Sequence, residues 1–251
     1  MSIAQALALK IAGALGYSVA PAGKYGLPVD FTPEEIEEVR AVMPFTLTSP
    51  ERIQALLAAT RYVVQANISG EIVECGVWLG GSMMAVARTL CRMSASSRNL
   101  YLFDTFEGMT AATEKDRDYR GKDAAGLMAR ARGTADDIWA IGPLETVRRN
   151  MTSTGYPPER VHYKVGRVEE TLPREAPDQI ALLRLDTDWY ESTRHELECL
   201  FPRLAPGGVL IIDDYGHWEG AKRAVDEYIH AQGLKILLNR IDYTGRIAIK
   251  L

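Results

Sequence analysis

The chain has 251 residues, 47% of them hydrophobic and 25% charged, with a formal net charge of −4 and a sequence pI near 5.7. That length suits one large α/β domain with a full core, and the acidic balance argues against a nucleic-acid binder, which shows a basic face. Three cysteines, Cys75, Cys91 and Cys199, are odd in number and outside any C-x-x-C spacing, so they read as reduced thiols of a cytoplasmic protein.

In chain order, the first twenty residues are rich in small apolar side chains, but Lys10 interrupts the run. That position is wrong for a signal peptide, and the stretch is too short and broken to insert in a membrane. It predicts an amphipathic helix that packs on the core in the favoured reading or on a second subunit in the other; a homo-oligomer is expected, with a dimer through this segment as one arrangement. Thr32-Pro33-Glu34 and Ser49-Pro50-Glu51 each place a capping hydroxyl before a proline suited to the first helical turn. The second of these helices is expected to run to about Val64, with residues 43–49 as connector. Residues 1–68 then form a helical segment of the same domain as residues 69–251.

From residue 71 the rhythm is a short apolar run, a turn and a helical pattern. The runs are Glu71–Cys75, Leu100–Asp104, Val161–Val165, Ile180–Asp186 and Val209–Asp213. Near-continuous apolar runs mark strands covered on both faces, which gives a doubly wound, mostly parallel α/β sheet. Lys235–Leu238 and Arg246–Leu251, linked through Tyr243-Thr244-Gly245, are expected as an antiparallel pair at its edge. Residues 105–137, with Gly108, Gly121, Gly126 and Gly133 and many charges, read as a lid over the carboxyl edge of the strands.

The first strand runs into Glu74-Cys75-Gly76-Val77-Trp78-Leu79-Gly80-Gly81-Ser82, with a helix opening near Ser82. Glycines there permit a sharp turn and close ligand approach, and the helix start offers free N–H groups. The spacing is neither the G-x-G-x-x-G of dinucleotide folds nor a P-loop. Glu74 would repel a pyrophosphate but suits the cationic amino group of S-adenosyl-L-methionine. Asp104, ending the second strand, is placed to accept hydrogen bonds from ribose hydroxyls, a device that nicotinamide enzymes share.

These segments, with Phe103-Asp104-Thr105-Phe106-Glu107-Gly108-Met109, Leu185-Asp186-Thr187-Asp188-Trp189-Tyr190-Glu191-Ser192-Thr193 and Pro206–Trp218, resemble the macrocin O-methyltransferase family over roughly residues 43–230. The resemblance implies a seven-stranded methyltransferase fold with Mg²⁺ beside the methyl donor. It also implies a sugar hydroxyl in a glycosylated metabolite or glycolipid as acceptor.

Asp186 and Asp188 follow one strand, Asp213 and Asp214 another. Parallel strands end at one edge, so the two pairs of carboxylates can converge, and brought together they repel one another unless a cation shares them. A hard divalent ion with oxygen ligands resolves that conflict, whereas the four histidines show no zinc pattern. By the resemblance, Asp186, Asp213 and Asp214 are assigned to the metal. A coordinated hydroxyl needs a base; Asp188 is the first candidate, with Asp186 and His217 as alternatives.

The resemblance also places Thr48, Ser49 and Arg52 at the methionine carboxylate, and Gly166 and Val168 at the adenine. Gly76, Val77, Trp78, Gly81, Ser82 and Thr105 complete the expected cofactor contacts. Trp78, Phe106, Trp189, Tyr190, Tyr215 and Trp218 lie near strand ends, where aromatics shape an acceptor pocket, although Trp189 and Trp218 begin helices and read first as core. The charged run Glu114–Arg120 reads as solvated lid surface. A catechol or phenol acceptor stays open. A nicotinamide oxidoreductase or a non-catalytic module would have to explain the missing glycine fingerprint or the crowded aspartates.

Overall fold

A computed structural model describes residues 26–131 and 139–251. The helix expected over the first twenty residues, with any subunit contact it makes, lies outside them. The chain divides into two compact units between Glu37 and Glu38. In the described part of the first, Thr32 and Glu35 cap each other. The Thr32 N–H donates to Glu35 Oε2 at 3.0 Å, and the Glu35 N–H donates to Thr32 Oγ1 at 3.2 Å. This reciprocal pair satisfies two orphan donors and opens α1 (Pro33–Val42).

The second unit alternates strands and helices: α2 (Pro50–Gln65), β1 (Glu71–Cys75), α3 (Gly81–Arg92), β2 (Leu100–Asp104), α4 (Ala124–Ala131), α5 (Leu144–Thr152), β3 (Val161–Val165), α6 (Val168–Thr171), β4 (Ile180–Leu185), α7 (Tyr190–Leu200), β5 (Leu204–Ile212), α8 (Glu219–Ala231), β6 (Asn239–Arg240) and β7 (Arg246–Ile249). Seven strands form one sheet in the order β3-β2-β1-β4-β5-β7-β6. The first five are parallel and β7 is antiparallel to both of its neighbours. The strand order reverses between β1 and β4, the crevice where open α/β sheets bind ligands.

Side chains alternate across the sheet. Val73, Cys75, Leu183, Leu185, Leu210 and Ile212 join Leu197 and Leu200 of α7 and Val225 of α8 in one buried cluster. Ile72, Glu74, Leu182 and Arg184 point to the other face. There α2 packs on β4 and β5, and α3 packs on α2. Glu74 and Arg184 are direct partners in register, so a charged pair sits among the buried apolar positions of two central strands.

Several boundaries differ from those read in the sequence. The last parallel strand begins at Leu204 rather than Val209, because Pro206-Gly207-Gly208 is absorbed by a register shift opposite Ile180 and Leu182. The edge pair is antiparallel as expected, but ladder pairing starts at Asn239 and not within Lys235–Leu238. The alternation there is real: Leu234, Ile236 and Leu238 pack on the core while Leu237 is exposed. Packing alone, without a strand partner, holds that segment.

The lid is docked rather than loose over its described part. Asp116 and Asp118, inside the charged run expected to be solvated, are buried. Asp116 Oδ1 accepts the Tyr190 N–H at 2.8 Å, capping the start of α7. Asp118 Oδ1 accepts the N–H groups of Arg120 and Lys122 at 2.9 and 2.8 Å. Ala124 and Met128 of α4 pack against Trp189, Trp218 and Ala221. The two aspartates of the run turn inward as caps, and Glu114, Arg117, Tyr119 and Arg120 face solvent as expected.

Candidate active site

Ladder hydrogen bonding continues one residue beyond the central strands. The Asp186 N–H donates to the Cys75 carbonyl and the Asp213 N–H to the Leu185 carbonyl, each at 2.9 Å. The two aspartates therefore leave adjacent strands side by side, and Asp214 follows Asp213. One carboxylate oxygen from each of Asp186, Asp213 and Asp214 lies within 4.8 Å of the others. Gly76 is required by this arrangement: a Cβ there would stand 1.8 Å from the Asp186 carbonyl oxygen. The glycine of the turn thus makes room for protein backbone.

The trio sits in a cavity of about 550 Å³ at the carboxyl ends of the strands. Thr48, Arg52, Gly76, Val77, Trp78, Ser82, Asp104, Thr105, Gly166, Val168, Asp186, Asp188, Asp213, Asp214 and His217 all line it. Ser49, Glu74 and Gly81 do not. Ser49 caps α2 and donates to Asp242 Oδ2 at 2.7 Å. Gly81 lies against the backbone of Phe45, where a Cβ would meet the carbonyl at 2.6 Å. Glu74 is 1% exposed and bonded through Oε1 to Arg184 Nη1 at 2.6 Å. Its Oε2 is buried without a hydrogen-bond partner.

Asp104 fastens the glycine turn. Its Oδ2 accepts the N–H groups of Val77 and Trp78 at 2.6 and 3.1 Å, and its Oδ1 accepts the Phe106 N–H at 2.7 Å. The Thr105 hydroxyl stands 3.4 Å from Oδ1 as a fourth neighbour but bonds more closely to the Gly108 carbonyl at 2.7 Å, so a ligand hydroxyl can take that acceptor site. Trp78, Phe106 and Asp188 adopt positive φ of 47°, 57° and 64°. Such strained non-glycine positions gather at functional sites, and here each lies just past a strand end.

Asp188 faces the trio from the turn after β4. Its N–H donates to Asp214 Oδ2 at 3.1 Å, and its Oδ1 accepts the indole N–H of Trp218 at 2.5 Å. Burial pushes its carboxyl up to about 6, against the hydrogen bonds from Asp214 and Trp218, which lower it. Burial likewise raises Asp186 and Asp214 well above the usual carboxylate range. Glu74 is pushed up to about 7 by burial, although Arg184 opposes the shift. His217 is half-buried, with Nδ1 3.0 Å from the Tyr243 hydroxyl. Burial lowers its pKa, disfavouring the imidazolium.

Two cations stand among these acids. Arg184, 3% exposed, spreads its guanidinium over Glu74, Asp186 Oδ2 at 2.8 Å and Asp213 Oδ1 at 2.5 Å. Arg52 pairs with Asp213 Oδ2 through Nη1 and with Asp242 Oδ2 through Nε at 3.0 Å. Against these two positive charges stand Glu74, Asp186, Asp188, Asp213, Asp214 and Asp242. The surplus of acid over base, concentrated at the trio, fits a hard divalent cation.

The sequence reading did not single out Arg184, Asp242, Thr244 or the rim of the cavity. Thr244 Oγ1 donates to the Asp213 carbonyl at 2.8 Å. At the rim, the Tyr119, His217 and Tyr243 rings group with centroids 5.5 to 6.3 Å apart, and both tyrosines are more than half exposed. A lone arginine within Leu182-Leu183-Arg184-Leu185 was the available signal, since a charge is buried only when paired.

Residues 35–248 match the model of the macrocin O-methyltransferase family. The chain belongs to this family. The match reaches from α1 to β7, beyond the span over which the motifs themselves were legible. The protein is accordingly an O-methyltransferase. It is 33% identical over 204 residues, 80% of this chain and 73% of the other, to the 8-demethyl-8-(2,3-dimethoxy-alpha-L-rhamnosyl)-tetracenomycin-C 4'-O-methyltransferase of Streptomyces olivaceus. It is 32% identical to the demethyldecarbamoylnovobiocin O-methyltransferase of Streptomyces niveus, covering 73% of this chain and 67% of that one. Among solved structures, the O-methyltransferase NovP superposes with a TM-score of 0.72 at 28% identity, covering 98% of both chains. Among the described residues, no helix is long and apolar enough to cross a membrane.

Proposed function

We propose that the protein transfers the methyl group of S-adenosylmethionine to a sugar hydroxyl with the help of Mg²⁺ held by Asp186, Asp213 and Asp214. The observation that carries this reading is the acidic trio opening into the same cavity as the Asp104-fastened glycine turn. A relative whose name specifies a rhamnosyl group supports a sugar acceptor.

S-adenosylmethionine supplies an electrophilic methyl and a neutral thioether leaving group, and a divalent cation at the trio would polarise and orient the acceptor hydroxyl. This chain's residues do the rest. Asp104 offers its remaining acceptor site to the ribose, while Gly166 and Val168 wall the adenine end. Glu74 acts from behind the cavity wall, holding Arg184 against Asp186 and Asp213, and Arg52 is assigned to the cofactor's carboxylate. Asp188 accepts the hydroxyl proton as the new C–O bond forms and the S–C bond breaks. The Tyr119, His217 and Tyr243 rings offer an uncharged face to the acceptor beyond its reacting hydroxyl.

A thermal-shift series tests the reading. S-adenosylhomocysteine at 100 times its Kd should stabilise by about 2.7 kcal/mol, a rise of about 5–11 °C in Tm, and NAD should give none. No rise with S-adenosylhomocysteine would overturn the assignment. Methylation of catechol but of no glycoside, followed by mass spectrometry, would move the acceptor from sugar to phenol.

The raised carboxyls give a second expectation. A carboxyl whose folded pKa exceeds its unfolded value stabilises the fold fully below the unfolded pKa, and this is lost as pH rises through the folded pKa. For Asp188, beside the trio, that window runs from 3.8 to about 6, and burial raises the Asp186 and Asp214 carboxyls in the same direction. A divalent cation replaces the lost protons. The Tm increment from MgCl₂ should therefore grow between pH 5 and pH 8, and an increment that shrinks with pH would contradict the ligand assignment.

A further inference from the structure

Asp213 is supplied with more cation than one carboxylate needs. Its Oδ1 is held by Arg184 Nη2 and by Thr48 Oγ1 at 3.2 Å. Its Oδ2 is held by Arg52 Nη1. Arg184 is fixed, since the same guanidinium also serves Glu74 and Asp186. Arg52 is held differently. Its Nε rests on Asp242 Oδ2 and within 3.4 Å of Ser49 Oγ. Its stem lies so close to Gly245 that a Cβ there would fall 2.8 Å from Arg52 Cδ. Asp242 is itself fixed, its Oδ1 accepting the N–H groups of Thr244 and Gly245 at 2.9 and 2.7 Å. The side chain is thus anchored at Nε while its terminal nitrogens reach into the cavity.

We propose that Arg52 is an exchangeable counter-ion, which neutralises Asp213 while no divalent cation is bound and turns to the cofactor's carboxylate when one is. The inference rests on the reading above that this cavity takes both Mg²⁺ and S-adenosylmethionine. A cation shared by Asp186, Asp213 and Asp214 needs an Asp213 oxygen, and Oδ1 is committed to Arg184 and Thr48. Oδ2 is the oxygen to be freed, because a divalent cation and a guanidinium on one oxygen repel each other. Once displaced, Arg52 keeps Asp242 at Nε but presents an unpaired nitrogen to the cavity. An anion arriving there is favoured, and by linkage that anion favours the metal equally. A ligand lacking the carboxylate gives no such help.

The experiment uses the full chain and Mn²⁺, whose free form is counted by electron paramagnetic resonance. Mn²⁺ affinity is measured alone, with saturating S-adenosylhomocysteine, and with 5′-methylthioadenosine, which keeps the adenosine and thioether but lacks the amino acid. S-adenosylhomocysteine should tighten Mn²⁺ by about 5- to 20-fold, and methylthioadenosine should leave it unchanged. In Arg52→Gln, Mn²⁺ alone should bind more tightly than in the wild type, and S-adenosylhomocysteine should add nothing. Equal tightening in wild type and Arg52→Gln would overturn the proposal, as would equal tightening by the two ligands. Asp242→Asn keeps the turn's acceptor but removes the anion that steadies the displaced arginine. It should weaken Mn²⁺ several-fold, and unchanged affinity would count against the exchange even if Arg52→Gln does not fold. Absence of S-adenosylhomocysteine binding sinks the functional reading itself, whereas independent binding of both ligands sinks only the exchange.

Discussion

Asp188→Asn is expected to lower kcat/KM by a factor of about 10²–10⁴, the range that a positioned base contributes, while cofactor and metal binding stay near wild type. The substitution is well suited to its site. Asparagine tolerates the left-handed φ of 64° better than other non-glycine residues. Its side-chain oxygen can still accept the Trp218 indole N–H, and the backbone N–H donated to Asp214 is untouched. What disappears is the ability to take a proton. Steady-state kinetics beside an S-adenosylhomocysteine thermal shift separates the two quantities. Turnover near wild type would remove Asp188 from the role and leave Asp186 and His217 as candidates. His217 is the weaker on geometry, because it sits with the rim tyrosines rather than bonded into the trio.

The scaffold of this site was legible because it depends on local signals. Apolar runs of strand length located the five parallel strands, and three have the expected bounds. Carboxylates just past β4 and β5 had to converge because parallel strands end together. Spacing could not reveal what those carboxylates touch. Asp242 comes from the β6–β7 turn and meets Arg52 across 190 positions of chain, a contact that only tertiary packing creates. Glu74 shows the same limit. Its residue type suggested a ligand contact, but its partner in register is Arg184, and their pairing depends on which strands are neighbours. The lid acids were misread for a related reason. A run of alternating charge resembles solvated surface unless one knows that the start of α7 lies beneath it and needs a cap.

Arg184→Met should be the most destabilising single change in the site. Removing one partner of a buried ion pair costs about 3–5 kcal/mol, because the remaining charges stay buried and uncompensated. Here one guanidinium serves three carboxylates, Glu74, Asp186 and Asp213, and the Glu74 Oε2 already lacks a partner. At about 2–4 °C per kcal/mol for a domain of this size, the expected fall in Tm is about 6–20 °C. The pH dependence distinguishes lost charge from lost packing, since methionine retains much of the apolar stem. Arg184 lowers the Glu74 and Asp186 carboxyls, so without it their folded pKa values rise further above the unfolded ones. The stability they contribute is then present at low pH and lost as pH rises through those higher values. The deficit of Arg184→Met should therefore be smallest near pH 5 and grow toward pH 8, as read by urea denaturation across the range. A deficit independent of pH would mean that Arg184 stabilises by packing and that the acids beside it are satisfied some other way.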